Sequence, residues 1–382
     1  MRILSLLTSF TSGGAEVLVT NLSRAFSRAG HLSTVATLCE ARTLGNSPEV
    51  ERSQRGKIEE SGGFARTLHL SARRSPLAGA IAMRSLLKDV QPDVIHAHTA
   101  RAMPMLWLAR PKCPIILTHH NSRLSFPVAL FRLFDRNISE YVAISDDCKA
   151  LLAPYTRHPI TIVRNGVGAE YTAKLARQLP QDHIEIIAVG AISAQKDYPT
   201  LIRAASHVRA RLRARGLTAR IRIVGDGPMM QELRALRDAE DVADMVELLG
   251  TRSDIPDLLA SAHLFVNSSL YEGLSIAQLE GMATGLPVVA TRVPGNRELI
   301  RHGINGLLAR GSDPQALAAE IDEALLDSDF YETLSQGALA TARNHSMEAC
   351  ADEYLGVYER VIGTRTRLRS PVVMPIGLTS HP

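Results

Sequence analysis

Residues 271–290 read YEGLSIAQLEGMATGLPVVA. Ser275, followed three residues later by Gln278 and an apolar run, is a capping-box signature, so a helix starts with Ser275 as its N-cap. Gly285 and Pro287 stop it. The β-branched run PVVAT beyond reads as a buried strand of a parallel sheet, which leaves Glu272 and Gly273 on the loop entering the helix. N–H groups at such a helix start, at the positive end of the dipole, suit a phosphate. Glu280 falls about one and a half turns in, beside Ile276 and Ala277, where a carboxylate needs partners such as hydroxyl donors. Taken alone, the pair also fits a plainer reading: Glu272 favouring the helix dipole and Glu280 solvated on the surface.

The strand-helix rhythm extends outward in both directions. RILSLL, STVATL, DVIHAH, PIILTHH and YVAIS are strand candidates in the first half, and IEIIAVG, RIRIVG, VELLG, HLFVNSS and PVVAT in the second. Alternation of this kind predicts an α/β chain, and ten strands divide more naturally into two doubly wound, Rossmann-like sheets than into one. Two such domains facing each other leave a cleft at the carboxyl ends of their strands. The boundary falls near RNGV at 164–167. This gives a first domain at 1–166, a second at 167–346, a closing helix at about 347–363 and a loose tail at 364–382. In the closing helix, Met347, Cys350, Tyr354, Val357, Tyr358 and Val361 share one face, which packs back on the first domain. Residues 40–63, polar, rich in charge and ending in Gly62 and Gly63, are expected to be a mobile loop.

Composition narrows the function. The 382 residues suffice for two cores, and a formal net charge of +4 is too mild to argue for nucleic acid. No apolar run approaches the roughly 20 residues that span a bilayer. MRILSLLTS leads straight into GGAE without a small-residue cleavage site, and reads as a strand rather than a signal peptide. Cys39, Cys113, Cys148 and Cys350 have no paired spacing, which argues against disulfides or a zinc site and fits the cytoplasm.

Several motifs sit at strand ends. Gly13 and Gly14 lie between the first strand and a helix, where glycine lets backbone approach a phosphate; a tight turn without a ligand fits equally well. No third glycine completes a dinucleotide fingerprint there or in GDGPMM at 225–230. Lys196 follows the first strand of the second half and could reach a diphosphate as a point charge, though a lone loop lysine is usually solvated. His96, His98, His119 and His120 cluster at strand ends, where the cleft should be. In 123–136, Phe126, Leu130, Phe131 and Phe134 interleave with Arg123, Arg132 and Arg136; this predicts an acceptor-side face touching a membrane, against the alternative of an ordinary half-buried helix.

The ordered set GGAE, DVIHAH, THHN, AISDD, IVRNGV, IVGDGP, EGLSIAQLE and PVVATRVPGNRELI resembles the blocks of the retaining nucleotide-sugar glycosyltransferases of family 4, which have the GT-B fold. The likeness runs from about residue 10 to residue 360. It implies that Glu272 holds hydroxyls of the donor sugar and Glu280 the nucleotide ribose. Gly273, Leu274 and Ser275 would offer amides to the diphosphate, with Gly14 opposite and Lys196 neutralising the leaving group. Arg252, in GTR at 250–252, would meet the base. His120 would stand near the reacting centre, and Gly13, His96, His98, His119 and Asn121 on the acceptor side. Glu272, His120 and Lys196 are thereby the expected catalytic residues, with no cofactor and no metal. The expected partners are a nucleotide sugar, most simply a UDP-sugar, and a saccharide or lipid-linked saccharide acceptor at the inner face of the plasma membrane. One departure stands out: the family's arginine after VG is Ala191 here. That keeps open the reading of a nucleotide-sugar-binding protein without turnover; a third reading is an epimerase or phosphorylase of the same fold.

Overall fold

The computed structural model describes the chain except residues 12, 45, 72–74, 121–123, 125–126, 172, 174 and 370–382. Seven strands make the first sheet: β1 (Arg2–Leu7), β2 (Leu32–Thr37), β3 (Phe64–Thr67), β4 (Val94–Ala97), β5 (Ile115–His119), β6 (Glu140–Ala143) and β7 (Ile160–Ile162). Six make the second: β8 (His183–Val189), β9 (Thr218–Val224), β10 (Val246–Gly250), β11 (Leu264–Asn267), β12 (Val288–Thr291) and β13 (Gly306–Ala309). Their orders are β3-β2-β1-β4-β5-β6-β7 and β10-β9-β8-β11-β12-β13. All the pairings are parallel. Each sheet therefore reverses its strand order once, between β1 and β4 and between β8 and β11. Loops leaving those neighbouring strands part in opposite directions and open a crevice at their carboxyl ends.

Three strands escaped the sequence reading, and all three are sheet edges: β3 (FART), β7 (ITI) and β13 (GLLA). They are short, and β3 and β7 are partly solvated, so neither carries the apolar run of a central strand. The expected mobile loop at 40–63 is mostly helix, Pro48–Glu60. Ser47 caps it, Pro48 occupies its first turn, and it buries Gln54 and Ile58. Its polar composition reflects a mostly solvated helix with one narrow buried stripe. Helix Val128–Asp135 turns Phe131 and Phe134 inward, against the membrane-facing role expected of those two, while Leu130, Arg132 and the following Arg136 are exposed. Phe131 stacks on Tyr141 with ring centroids 5.3 Å apart, and Phe134 meets Trp107 edge-on at 6.4 Å. Phe126 and Arg123 lie outside the described residues.

The chain passes between the sheets twice. At 164–167 it leaves the first for the second, and at 345–347 it returns, the two segments pairing through Val167 N–H to His345 O (2.8 Å) and Met347 N–H to Val167 O (3.1 Å). The returning helix, Met347–Arg369, runs past Thr364, the expected start of the loose tail, because no proline interrupts it before Pro371. It buries Met347, Cys350, Tyr354, Val357, Tyr358 and Val361 among Ile3, Leu22, Phe26, Val94 and other residues of the first sheet and its helices. The crossing leaves no room for a side chain at Gly166: a Cβ there would stand 2.7 Å from both Met347 Cα and Ser346 O. Gly166→Val is expected to cost about 1–3 kcal/mol in chemical denaturation, the usual range for overpacking. An unchanged midpoint would mean that the crossing yields without strain.

Candidate functional site

At the second switch point the loops after β8 and β11 are laced together. Ser268 Oγ donates to Lys196 O at 2.7 Å, Leu270 N–H to Gln195 O at 2.8 Å, and Gln195 Nε2 to Tyr271 O at 3.0 Å. The lacing turns Lys196 back across Gly190, where a Cβ would stand 2.9 Å from the lysine Cε. Lys196 Nζ reaches Glu272 Oε1 at 2.5 Å. The same oxygen accepts from Ser269 Oγ at 2.7 Å and Asn267 Nδ2 at 3.3 Å. Three donors on Oε1 fix the carboxylate and hold its charge in a buried place. Among the described residues none donates to Oε2, the oxygen left for a ligand.

Past Glu272, helix Ile276–Ala283 begins as expected, with Ser275 Oγ accepting from Gln278 N–H at 3.4 Å. The reciprocal half of the capping box is absent: Gln278 Nε2 donates instead to Asn296 Oδ1 at 2.8 Å. Asn296 is tied in turn to Thr291 O, and a Cβ at neighbouring Gly295 would overlap the Gly273 carbonyl. The segment 294–299 is thus the bed of the 272–275 loop. No described group accepts from the N–H of Gly273, Leu274 or Ser275. Three amides at the positive end of a helix are available to an anion.

Glu280 is buried, and the Tyr171 hydroxyl supplies the hydroxyl partner its position calls for. Burial outweighs that bond and pushes the Glu280 carboxyl up to about 8. Glu170 stands close enough to raise it further, Lys57 of helix Pro48–Glu60 to lower it, and Arg24 pairs with Glu170 at 3.6 Å. Tyr171 and Lys57 were not found in the sequence; neither lies in a periodic pattern that marks it. Arg252 grips Asp254 with two bonds of 2.8 and 2.6 Å on an exposed loop, so its charge is already paired.

The first domain faces this loop with its own switch point, where Thr8 Oγ1 and Thr99 Oγ1 lie 2.9 Å apart. Gly14 opens helix Gly14–Arg28, and a Cβ on it would stand 3.7 Å from Ile276 Cδ1 across the cleft. Gly13 caps that helix, and its N–H donates to Thr11 Oγ1 at 3.1 Å. Glu16 of GGAE folds over Gly13, and burial pushes its carboxyl up to about 7. Its place in the first helical turn after two glycines was the signal available for it.

The histidines separate by depth. His96 is fully buried, with Nδ1 2.6 Å from the Tyr358 hydroxyl and Nε2 2.6 Å from Thr118 Oγ1. Both nitrogens are engaged, so His96 is a core residue and not the acceptor contact expected of it. His98 lies against it, ring centroids 3.8 Å apart, and His98 Nδ1 is 3.0 Å from His120 Nε2. His98, His119 and His120 line a cavity of about 190 Å³ with Arg101, Phe131 and Tyr141. Burial drives His120 down to about 3, so its ring is neutral. Asn121 lies outside the described residues. His120 O is 2.8 Å from where a Gly273 Cβ would be, so the histidine and the Glu272 loop meet across the cleft. Asn165 Nδ2 to Leu274 O at 2.7 Å joins the linker to the same loop.

Residues 12–171 match the family described as Glycosyltransferase Family 4, and residues 183–327 the one described as Glycosyl transferases group 1. The lipopolysaccharide core biosynthesis glycosyltransferase LpsE of Rhizobium meliloti is 27% identical over 90% of this chain and 95% of its own length. LpsD of the same organism is 28% identical over 74% and 80%. Among solved structures, Anabaena HepE in complex with UDP and glucose superposes with a TM-score of 0.77 at 20% identity, over 94% of this chain and all of its own. With the two matched segments falling one on each sheet, the chain belongs to the group 1, family 4 glycosyltransferases and has their two-domain GT-B architecture.

Proposed function

We propose that the protein is a retaining, metal-independent hexosyltransferase that moves a sugar from a UDP-sugar to a saccharide or lipid-linked saccharide during cell-surface polysaccharide synthesis. The observation that carries this reading is the Lys196–Glu272 pair beside the three open amides of Gly273–Ser275. A diphosphate on those amides has Lys196 as its countercharge, and a sugar beyond it meets Glu272 Oε2 on one side and His120 on the other. Glu280, at the far end of the helix start, accepts from the ribose hydroxyls. The C1–O bond to the diphosphate breaks as the acceptor oxygen bonds C1 on the same face, and the acceptor proton passes to the departing phosphate. Charge grows on the leaving group toward the transition state, so the lysine and the fixed amides contribute most there. The named polysaccharide-synthesis roles of LpsD and LpsE, and the UDP in HepE, support the substrate classes.

With Ala191 supplying no charge, Lys196 is the sole cation that the matched motif offers to the diphosphate. Lys196→Ala is expected to weaken UDP-sugar binding by about 1.5–3 kcal/mol, one to two decades, and to lower turnover further. Ala191→Arg should tighten binding. Calorimetry with a metal chelator present checks both; an unchanged affinity in Lys196→Ala means that another cation holds the diphosphate.

Ribose hydroxyls donate to the ionised form of Glu280, and the free protein holds that carboxyl at about 8. Each pH unit below its pKa costs tenfold in the ionised form, so this group makes UDP bind roughly tenfold tighter at about pH 9 than at about pH 7. Glu16 acts in the opposite sense, because its ionisation near the diphosphate repels the ligand, and the comparison with Glu280→Gln isolates the effect. The rise should vanish in that variant; the same pH slope in both proteins would assign the ribose contact elsewhere.

The membrane-facing part of this reading keeps Leu130, Arg132 and Arg136 of the face the sequence suggested and extends it over two neighbouring helices. Helix Pro76–Val90 packs along Met103–Ala109, which touches Val128–Asp135. Leu77, Ile81, Trp107, Leu130 and Leu133 are exposed there, accompanied by Arg84, Arg110, Arg132 and Arg136. Exposed apolar side chains among arginines match an anionic lipid surface. The protein should float with phosphatidylserine vesicles and a Trp107→Ser, Leu133→Ser variant should stay behind; equal flotation would sink this assignment.

A further inference from the structure

The two nitrogens of the His120 ring do different work, and His98 decides which carries the proton. His98 Nδ1 and His120 Nε2 are 3.0 Å apart, so one proton lies between them. His98 Nε2 is buried and, among the described residues, has no hydrogen-bond partner. Were the shared proton on His120 Nε2, the neutral His98 would carry its own proton on Nε2, leaving a buried N–H with no acceptor. With the shared proton on His98 Nδ1, only a lone pair goes unpaired at Nε2. An orphaned donor is the costlier and rarer defect, so the second arrangement prevails. His120 Nε2 is then an acceptor, and the proton of the neutral His120 ring is on Nδ1, where no described side chain holds it. Burial, which keeps both rings uncharged, supports this assignment.

We propose that His98 is a positioning residue that fixes His120 in the Nδ1–H tautomer, so that His120 meets the substrate as a neutral hydrogen-bond donor and not as a base. The partner suited to such a donor is an uncharged oxygen, a hydroxyl of the transferred or accepting sugar. This inference rests on the transferase reading for the identity of that partner, but not for the tautomer itself. His98 is in turn seated by the buried His96, whose own two bonds to Tyr358 and Thr118 leave it no freedom to rotate into partnership with His98. Among the described residues no carboxylate lines the cavity beside these rings to draw a proton away.

Long-range proton–nitrogen correlation spectra of the donor-free protein, labelled in its histidine rings and assigned with His120→Ala, read the tautomer directly. The expected result is a protonated Nδ1 and an unprotonated Nε2 on His120. In His98→Leu that pattern should be lost and turnover should fall roughly tenfold, the scale of one lost hydrogen bond, with little change in the KM for the donor. His98→Asn, whose amide nitrogen can replace Nδ1 as donor, should keep both the pattern and most of the turnover. A proton on His120 Nε2 in the wild type, or a folded His98→Leu protein that retains the Nδ1–H pattern, overturns the proposal. If the spectra are as expected but no UDP-sugar is turned over, the tautomer stands and the transferase reading fails.

Discussion

Two parallel sheets that each reverse strand order once, with the reversals facing each other, are the constraint on which the cleft depends. Crossover helices cover both faces of a parallel sheet, so a ligand can approach only past the strand ends, where the loops part. Glu272 and Lys196 leave from adjacent strands at one reversal, and His98 and Gly14 from adjacent strands at the other. No side chain has to be carried far to reach the site. Short, heavily bonded loops suffice, and the lacing of 195–196 to 268–271 shows how little freedom they keep.

Electrostatically the cleft is economical. Its anion site is made of backbone dipoles and one ammonium, and the ammonium is already bonded to a carboxylate. That pairing lowers the cost of burying either charge while the site is empty, and places the lysine beside the amides before any ligand arrives. Around it the ionisable groups are held neutral by burial: Glu280 and Glu16 by raised values, His98 and His120 by lowered ones. Burial thus lessens the negative charge a diphosphate meets, Glu280 more than Glu16 near neutral pH, and offsets in part the alanine at position 191. Helix dipoles need no counter-ions of their own and lose nothing on reorganisation, so they suit this task.

Much of this was legible in the sequence because parallel sheets bury central strands on both faces and write them as apolar runs. PVVAT and IEIIAVG could hardly be anything else, and Ser275 with Gly285 marked the helix between Glu272 and β12 to within a few residues. The helical face of Met347, Cys350, Tyr354, Val357, Tyr358 and Val361 showed itself through spacing alone. Of the missed edge strands, β13 is buried but only four residues long, and β3 and β7 were hidden because much of their surface is solvated and their composition approaches that of loops. Helix Pro48–Glu60 was hidden for the same reason, although Ser47 and Pro48 announce its start. The depth of His96 on its strand and the inward turn of Phe131 on its helix were invisible, since only the packed neighbours say which face of either element is covered. Pairings such as Lys196 with Glu272, Tyr171 with Glu280 and His98 with His120 join residues far apart in the chain, and no local pattern records them.

The relative placement of the two domains follows from where the chain crosses and not from the charged contacts at the cleft mouth. Glu298 accepts the N–H of Asp146 at 3.0 Å, and Arg164 bonds Asp146 at 2.7 Å and Glu298 at 3.0 Å, a visible bridge between the halves. Arg164 and Asp146 are largely solvated, however, and exposed pairs of this kind contribute about 0–1 kcal/mol. The paired segments at Val167 and Met347 are different in kind. They are joined by backbone bonds, sealed by a position too tight for any side chain, and continued by a helix with an almost unbroken buried face. Rotation of one domain on the other would centre on these segments, and beyond the charged bridge it would have to part the apolar cluster in which Ala143, Ile144 and Cys148 meet Leu274 and Leu299.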